Sequence, residues 1–194
     1  MKLNIAGWIP KSAANGPGER FVLWVQGCPL ACEGCWNPET WSFAPRHVRT
    51  IDDVEAEILA TPGIEGVTLS GGEPFAQAEA LAELARRARQ RGLSVVVFTG
   101  YELRELRWPA ARELLATVDL LVTGRFVRAQ RDVHLALRGS RNQALHFLTD
   151  RYGPADIPEE NRIELHLAED GSVVLTGFPE DSRALPTESL MFEP

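Results

Sequence analysis

The stretch GCPLACEGCW, residues 27 to 36, holds all three cysteines of a 194-residue chain, at Cys28, Cys32 and Cys35. The spacing CxxxCxxC gathers three thiolates on one short loop, close enough to hold three corners of a single polynuclear cluster. A [4Fe–4S] cluster normally takes four thiolates, so three leave one iron free to accept a ligand from elsewhere. Two other readings stand beside it. A structural zinc site wants four protein ligands and would have to recruit a distant group such as His47. Buried, unligated thiols are common singly, but a tight trio flanked by glycines is an unusual form for them. The second stretch with chemical content is SGGEP, residues 70 to 74. Glu73 offers a carboxylate acceptor, while Gly71 and Gly72 expose backbone groups to a closely approaching ligand. Standing alone, a glycine pair after a strand is an ordinary strand-to-helix turn. His47, His134, His146 and His166 share no spacing suggestive of a site, and the motifs contain no Ser/His/Asp or paired-carboxylate arrangement.

These residues need elements to position them. FVLWVQ (21 to 26) is a β-rich apolar run ending at Gly27, and GVTLS (66 to 70) is another, ending at the glycine pair. LSVVVF (93 to 98) stops before TGY, and VDLLVT (118 to 123) stops before Gly124. Helical patterns lie between them. Thr50 is a plausible N-cap with Asp53 three residues on, and Val54 with Ile58 forms an apolar i, i+4 pair. In FAQAEALAELARRARQRG, the residues Ala78, Leu81, Leu84, Ala85 and Ala88 keep one face, arginines crowd the last turn, and Gly92 ends it. A helical segment over 102 to 116 must break or kink near Pro109.

Alternating strands and helices with apolar strands predict an α/β fold with a parallel sheet, whose ligands bind at the carboxyl ends of the strands. The cysteine loop and the glycine pair both fall at that edge, in one site despite about 40 residues between them. From Tyr152 the character changes. YGPADIPEEN is a proline-rich connector, and RIELHLAEDGSVVLTGF alternates as two short strands around a turn at Asp170 and Gly171. The five tryptophans, at 8, 24, 36, 41 and 108, form no periodic stripe and read as core residues.

Composition narrows the partners. With 44% hydrophobic and 24% charged residues the chain has an ordinary globular composition. A formal charge of −7 and a pI near 5.2 repel a phosphate backbone, so nucleic acid is not an expected partner. The start, MKLNIAGWIPKSAANG, lacks the apolar run of a secretory signal, and no apolar window approaches the ~20 residues of a spanning helix. The expectation is a cytoplasmic protein with no membrane partner. An odd number of cysteines in such a chain argues for metal binding or redox chemistry over a disulfide scaffold.

Taken together, GCPLACEGCWNPETW and SGGEP resemble the radical S-adenosylmethionine (SAM) superfamily, and within it the anaerobic ribonucleotide reductase (glycyl radical enzyme) activating proteins. NGPGERFVLWVQGC precedes the cysteines, TGY follows the third strand, VTGRF the fourth, and RGSRNQ occupies 138 to 143, in the order that family shows. The resemblance covers roughly residues 1 to 148. It implies an incomplete, TIM-like βα barrel of parallel strands as a core domain over 1–149, with a small β-hairpin-like C-terminal extension over 150–194 that the compact activating proteins lack. Cys28, Cys32 and Cys35 would ligate three irons of a [4Fe–4S] cluster, and the fourth iron would chelate SAM. Gly71, Gly72, Glu73 and Pro74 match the GGEP segment that holds the SAM amino group. Trp36, Asn37 and Thr99 are further candidates for cofactor contact. The implied activity is reductive cleavage of SAM to methionine and a 5′-deoxyadenosyl radical, which takes hydrogen from a backbone glycine of a large protein partner. An electron donor such as flavodoxin or ferredoxin is implied as well.

Two alternatives accompany that reading: a radical SAM enzyme modifying another peptide, protein or small molecule, and a non-enzymatic iron–sulfur or zinc binding module. Three positions bear on the resemblance. Thr123 stands where the family usually has an acidic residue, and Arg141 replaces a small one. Gly34 precedes the third cysteine where the wider superfamily often has an aromatic residue, which matches the activating-protein branch.

Overall fold

The computed structural model describes residues 1–167 and 173–179. In chain order the elements are β1 (Lys2–Ser12), β2 (Arg20–Val25), β3 (His47–Thr50), α1 (Ile51–Ala60), β4 (Gly66–Gly71), α2 (Ala78–Gln90) and β5 (Ser94–Phe98). There follow α3 (Pro109–Leu115), β6 (Leu120–Thr123), β7 (Ala144–Phe147), and a separate antiparallel pair, β8 (Glu164–Leu167) with β9 (Val173–Thr176). The main sheet runs β3-β1-β2-β4-β5-β6-β7. Its centre, β2-β4-β5-β6, is parallel and coincides with the four apolar runs read from the sequence.

The expectation of parallel strands throughout gives way to a mixed sheet. β1 pairs antiparallel with both β2 and β3, and β7 pairs antiparallel with β6. The β1–β2 connection spans only residues 13–19, whereas a parallel neighbour needs a crossover of a dozen residues or more. β3 and β7 occupy opposite edges, so the sheet is open among the described residues.

The helices start and stop where local chemistry dictates. The Thr50 hydroxyl accepts the Asp53 N–H while the Asp53 carboxylate accepts the Thr50 N–H, a complete capping box for α1. Val54 and Ile58 are buried, as are Ala78, Leu81, Leu84, Ala85 and Ala88 of α2. Past α2, Gly92 adopts φ +80°, a conformation that ends the helix at little steric cost. Pro109 sets the break expected in the 102–116 segment. A 3-10 turn over Leu103–Glu105 precedes it, and proline itself opens α3, where its missing N–H costs nothing.

Strand alternation sorts the core into two faces. Phe21, Leu23, Val25, Val67, Leu69, Val95, Val97 and Leu121 pack with the buried stripes of α1, α2 and α3. On the opposite face Val96, Leu120 and Val122 meet Leu137 and Tyr152, and Val22 and Trp24 meet Val174 of the hairpin. This second face also carries the fully buried Arg20, whose guanidinium donates to Thr68, Ser94, Tyr152 and three backbone carbonyls. A buried cation is tolerable because every donor direction is used. Only Trp24 among the tryptophans is fully buried; Trp8, Trp36 and Trp41 are half-buried and Trp108 is exposed. Trp24 and Trp8 thus pack with the core as expected, whereas Trp36 and Trp41 line cavities and Trp108 lies on the surface.

The hairpin is held to the first strands by polar contacts. Glu164 accepts from the Ser12 hydroxyl (2.5 Å) and the Ala13 N–H (2.8 Å), and the Asn15 amide donates to Thr176 (2.7 Å). The expected turn at Asp170 and Gly171 lies outside the described residues. Among the described residues no helix is long and apolar enough to cross a membrane.

Candidate functional site

The parallel strands end together. Val25 is level with Gly71, Leu69 with Val97 and Phe98 with Val122, so the segments leaving β2, β4, β5 and β6 share one edge. The cysteine loop leaves β2 there. Its base is closed where Gly27 N–H donates to Thr40 O (2.8 Å) and Cys28 N–H to Trp41 O (3.1 Å). The Gln26 amide braces it from below through the carbonyls of Glu39 and Ser42. Between the first two cysteines, Ala31 takes a left-handed conformation (φ 43°), which costs a non-glycine residue roughly 1–2 kcal/mol. A second tight turn brings Cys35 N–H to Cys32 O (3.0 Å).

The glycine pair has a packing job beside the one its chemistry suggested. The N–H groups of Gly72 and Glu73 are not free for a ligand, because they donate to Val25 O (2.8 Å) and Gly27 O (2.9 Å). A Cβ on Gly72 would stand 2.4 Å from Gly27 O, and one on Gly71 2.5 Å from Val25 N. Both positions must lack a side chain so that the end of β4 can press against the start of the cysteine loop. Glu73 then turns inward. Its carboxylate is 1% exposed and accepts from Phe75 N–H (3.0 Å), the Thr99 hydroxyl (2.8 Å) and Gly100 N–H (2.9 Å). It thus locks the turn after β4 to the turn after β5. Burial pushes its carboxyl up to about 7, against the pull of those three donors.

Cys28, Cys32, Cys35, Gly71, Gly72, Glu73 and Thr99 all line one cavity of about 140 Å³. Burial pushes the Cys28 thiol up, opposed by the Leu30 and Ala31 backbone, and Glu73 nearby adds to the rise. Burial also pushes Cys32 up, opposed by the Phe126 backbone and the Arg125 charge. Pro74 is buried at the start of the 3-10 turn Pro74–Gln77 and does not line the cavity. Trp36 and Asn37 line an adjoining cavity of about 70 Å³, which shares Ser70, Phe98 and Phe178 with the first. Sequence reasoning assigned no role to Phe126, Gln143 or Phe178, which complete the thiol cavity. VTGRF and RGSRNQ are clamped together there: the Gln143 amide donates to Gly124 O and Asn142 to Arg125 O. Thr123, the departure noted above, is engaged by His146 Nε2 at 2.9 Å.

Three thiols lining one cavity are a donor set that a cluster can use. A lone zinc needs its donors about 2.3 Å from one point, whereas a cluster offers each thiolate its own iron. Among the described residues no three His, Cys, Asp or Glu converge on a single metal position. His47 is paired in β3 with Ile5 and set edge-on to Trp8, and it does not line the thiol cavity. Trp41, which lines the thiol cavity, has a buried indole N–H with no acceptor among the described residues, and cluster sulfurs are acceptors of the kind it lacks.

A family described as "4Fe-4S single cluster domain" matches residues 14–146. The anaerobic ribonucleoside-triphosphate reductase-activating protein of Vibrio cholerae is 36% identical over 156 residues, covering 76% of this chain and 99% of that protein. The chain belongs to the anaerobic ribonucleoside-triphosphate reductase-activating protein family. Its relatives of that name include the Escherichia coli K12 protein, 34% identical over 75% of this chain and 99% of its own length. Another is the phage T4 protein, 34% identical over 73% of this chain and 92% of its own. Among solved structures, QueE from Escherichia coli is similar at 19% identity and a TM-score of 0.44, over 52% of this chain and 53% of that one. The family match ends at residue 146, before the β8–β9 hairpin.

Proposed function

We propose that this protein is a radical SAM activase of the family to which it belongs, with a [4Fe–4S] cluster held by Cys28, Cys32 and Cys35. Its large partner would be a glycyl radical enzyme, most simply an anaerobic ribonucleoside-triphosphate reductase. The observation that carries this reading is the single cavity that joins all three thiols to Gly71, Gly72, Glu73 and Thr99. Bound by the three cysteines, such a cluster would supply the one-electron reduction that cleaves SAM to methionine and a 5′-deoxyadenosyl radical.

The chain's own residues bind, orient and enclose. The thiols must lose their protons to ligate iron, and burial holds those of Cys28 and Cys32 on the thiols near neutral pH, so that assembly releases them. Gly71 and Gly72 set the distance between the cysteine loop and the turn after β4. Glu73 fixes that turn against Thr99 and Gly100 and retains lone-pair capacity for a cationic amino group. Pro74 starts the turn that aims Glu73, and Trp36 and Asn37 shape the adjoining compartment. Phe98, Phe126 and Phe178 exclude water from the reacting region. An open sheet, in the manner of an incomplete barrel, leaves a side through which a protein segment can enter.

The test is activation itself. The reductase from the same organism, incubated anaerobically with the reconstituted protein, dithionite and SAM, should acquire the doublet electron paramagnetic resonance signal of a glycyl radical. SAM cleavage without any such signal would reassign the protein to a different peptide, protein or small-molecule client.

A further inference from the structure

A cavity of about 520 Å³ lies beside the thiol cavity and shares Cys35, Phe126, Gln143 and Phe178 with it. Its walls are aromatic and aliphatic, from Trp36, Phe126, Leu175 and Phe178, and Arg128 and Arg131 add charge. Two of those walls come from the C-terminal hairpin region, which lies beyond the end of the family match. The hairpin is therefore part of the site's architecture, and not an ornament on the back of the sheet.

The charge around this cavity runs against the molecule. Residues 125 to 141 contain five arginines, at 125, 128, 131, 138 and 141, and one acid, Asp132, in a chain whose formal charge is −7. Arg125, Arg128, Arg131 and Arg141 are exposed. Arg128 meets Glu33 only at 3.7 Å, with side-chain exposures of 72% and 87%. An ion pair that open is weak and is readily exchanged for another carboxylate. Arg131 lies over the Trp36 ring at 5.9 Å and donates to Pro179 O, tying the hairpin's end to the same rim.

We propose that this cavity is the docking groove for an extended, acidic segment of the protein partner, with Arg128 reading its charge and Phe178 packing against its apolar residues. An apolar trough with a cationic rim suits a chain that brings carboxylates beside hydrophobic anchors, and its continuity with the thiol cavity leads such a segment to the reacting centre. The proposal rests on the activation of a protein partner argued above.

The purified anaerobic ribonucleoside-triphosphate reductase of the same organism is the probe, and its dissociation constant for the full-length reconstituted protein is the readout, measured anaerobically at low and at high salt. Arg128→Glu is expected to weaken binding at least tenfold, Arg128→Lys to stay within about threefold, and high salt to weaken the wild type. Phe178→Ala is expected to weaken binding about tenfold at either salt concentration. Thermal unfolding midpoints report whether each variant keeps its fold; should Phe178→Ala lose it, the Arg128 pair still decides. Equal binding by wild type and Arg128→Glu would overturn the docking proposal and leave activation standing. No binding by the wild type would remove both.

Discussion

At the scale of single residues, Glu73 is the most constrained group in the site. It accepts three hydrogen bonds, yet burial leaves its carboxyl pushed up to about 7 from an ordinary 4.5. Below pH 4.5 both folded and unfolded chains carry the proton and nothing is lost. Between about 4.5 and about 7 the unfolded chain gives the proton up first, so folding stability falls as pH rises, and the loss is complete above about 7. At about 1.4 kcal/mol per pH unit, the interval corresponds to ~3 kcal/mol. Glu73→Gln should abolish this slope in the metal-free protein, at the expense of about 1–3 kcal/mol at low pH from donors left without an acceptor. Urea unfolding of both proteins at pH 5 and pH 7.5 measures it, and parallel losses in the two would refute the assignment. Sequence chemistry identified the carboxylate and the glycines. It did not reveal that Gly71 and Gly72 serve a backbone-to-backbone approach, because the Val25 and Gly27 carbonyls they meet are more than 40 positions away.

At the scale of elements, the parts with strong local signals were legible. The Thr50–Asp53 box, the α2 stripe, the Pro109 break and the four central strands are each written in a short run of residues. β1 was not, for a physical reason: its pairing with β2 shifts register twice, between Ile5 and Gly7 and between Ile9 and Ser12, which destroys the two-residue alternation of a regular strand. β3 and β7 have four residues each, too few for periodicity to show. The hairpin strands were visible as alternation, but their docking through Glu164 was not. The hydroxyl of Ser12, the Ala13 N–H and His166 hold the Glu164 carboxyl below the usual range despite its partial burial. Glu164→Ala should release the hairpin locally, so amide exchange over 173–176 should quicken while β4 and β5 keep their protection. Unchanged exchange in the hairpin would show that its apolar contacts alone secure it.

At the scale of the whole molecule, an open mixed sheet with helices on one face leaves its other face to the cavities, and brings residues 28–35, 71–73, 98–100, 122–126, 143 and 178 to one place. The cysteine and GGEP stretches announced that meeting because both follow strands of one parallel sheet. Phe178 could not be foreseen, since no local pattern links it to a loop some 140 residues earlier. The account stands or falls on the thiols. The most direct test is anaerobic reconstitution with iron and sulfide, reduction with dithionite, addition of SAM, and quantification of iron and 5′-deoxyadenosine for the wild type and Cys32→Ala. The account predicts four irons per wild-type chain with 5′-deoxyadenosine formed, and loss of SAM cleavage in Cys32→Ala with its fold largely kept. Wild-type protein that takes up zinc and no iron, or full cleavage by Cys32→Ala, would contradict it.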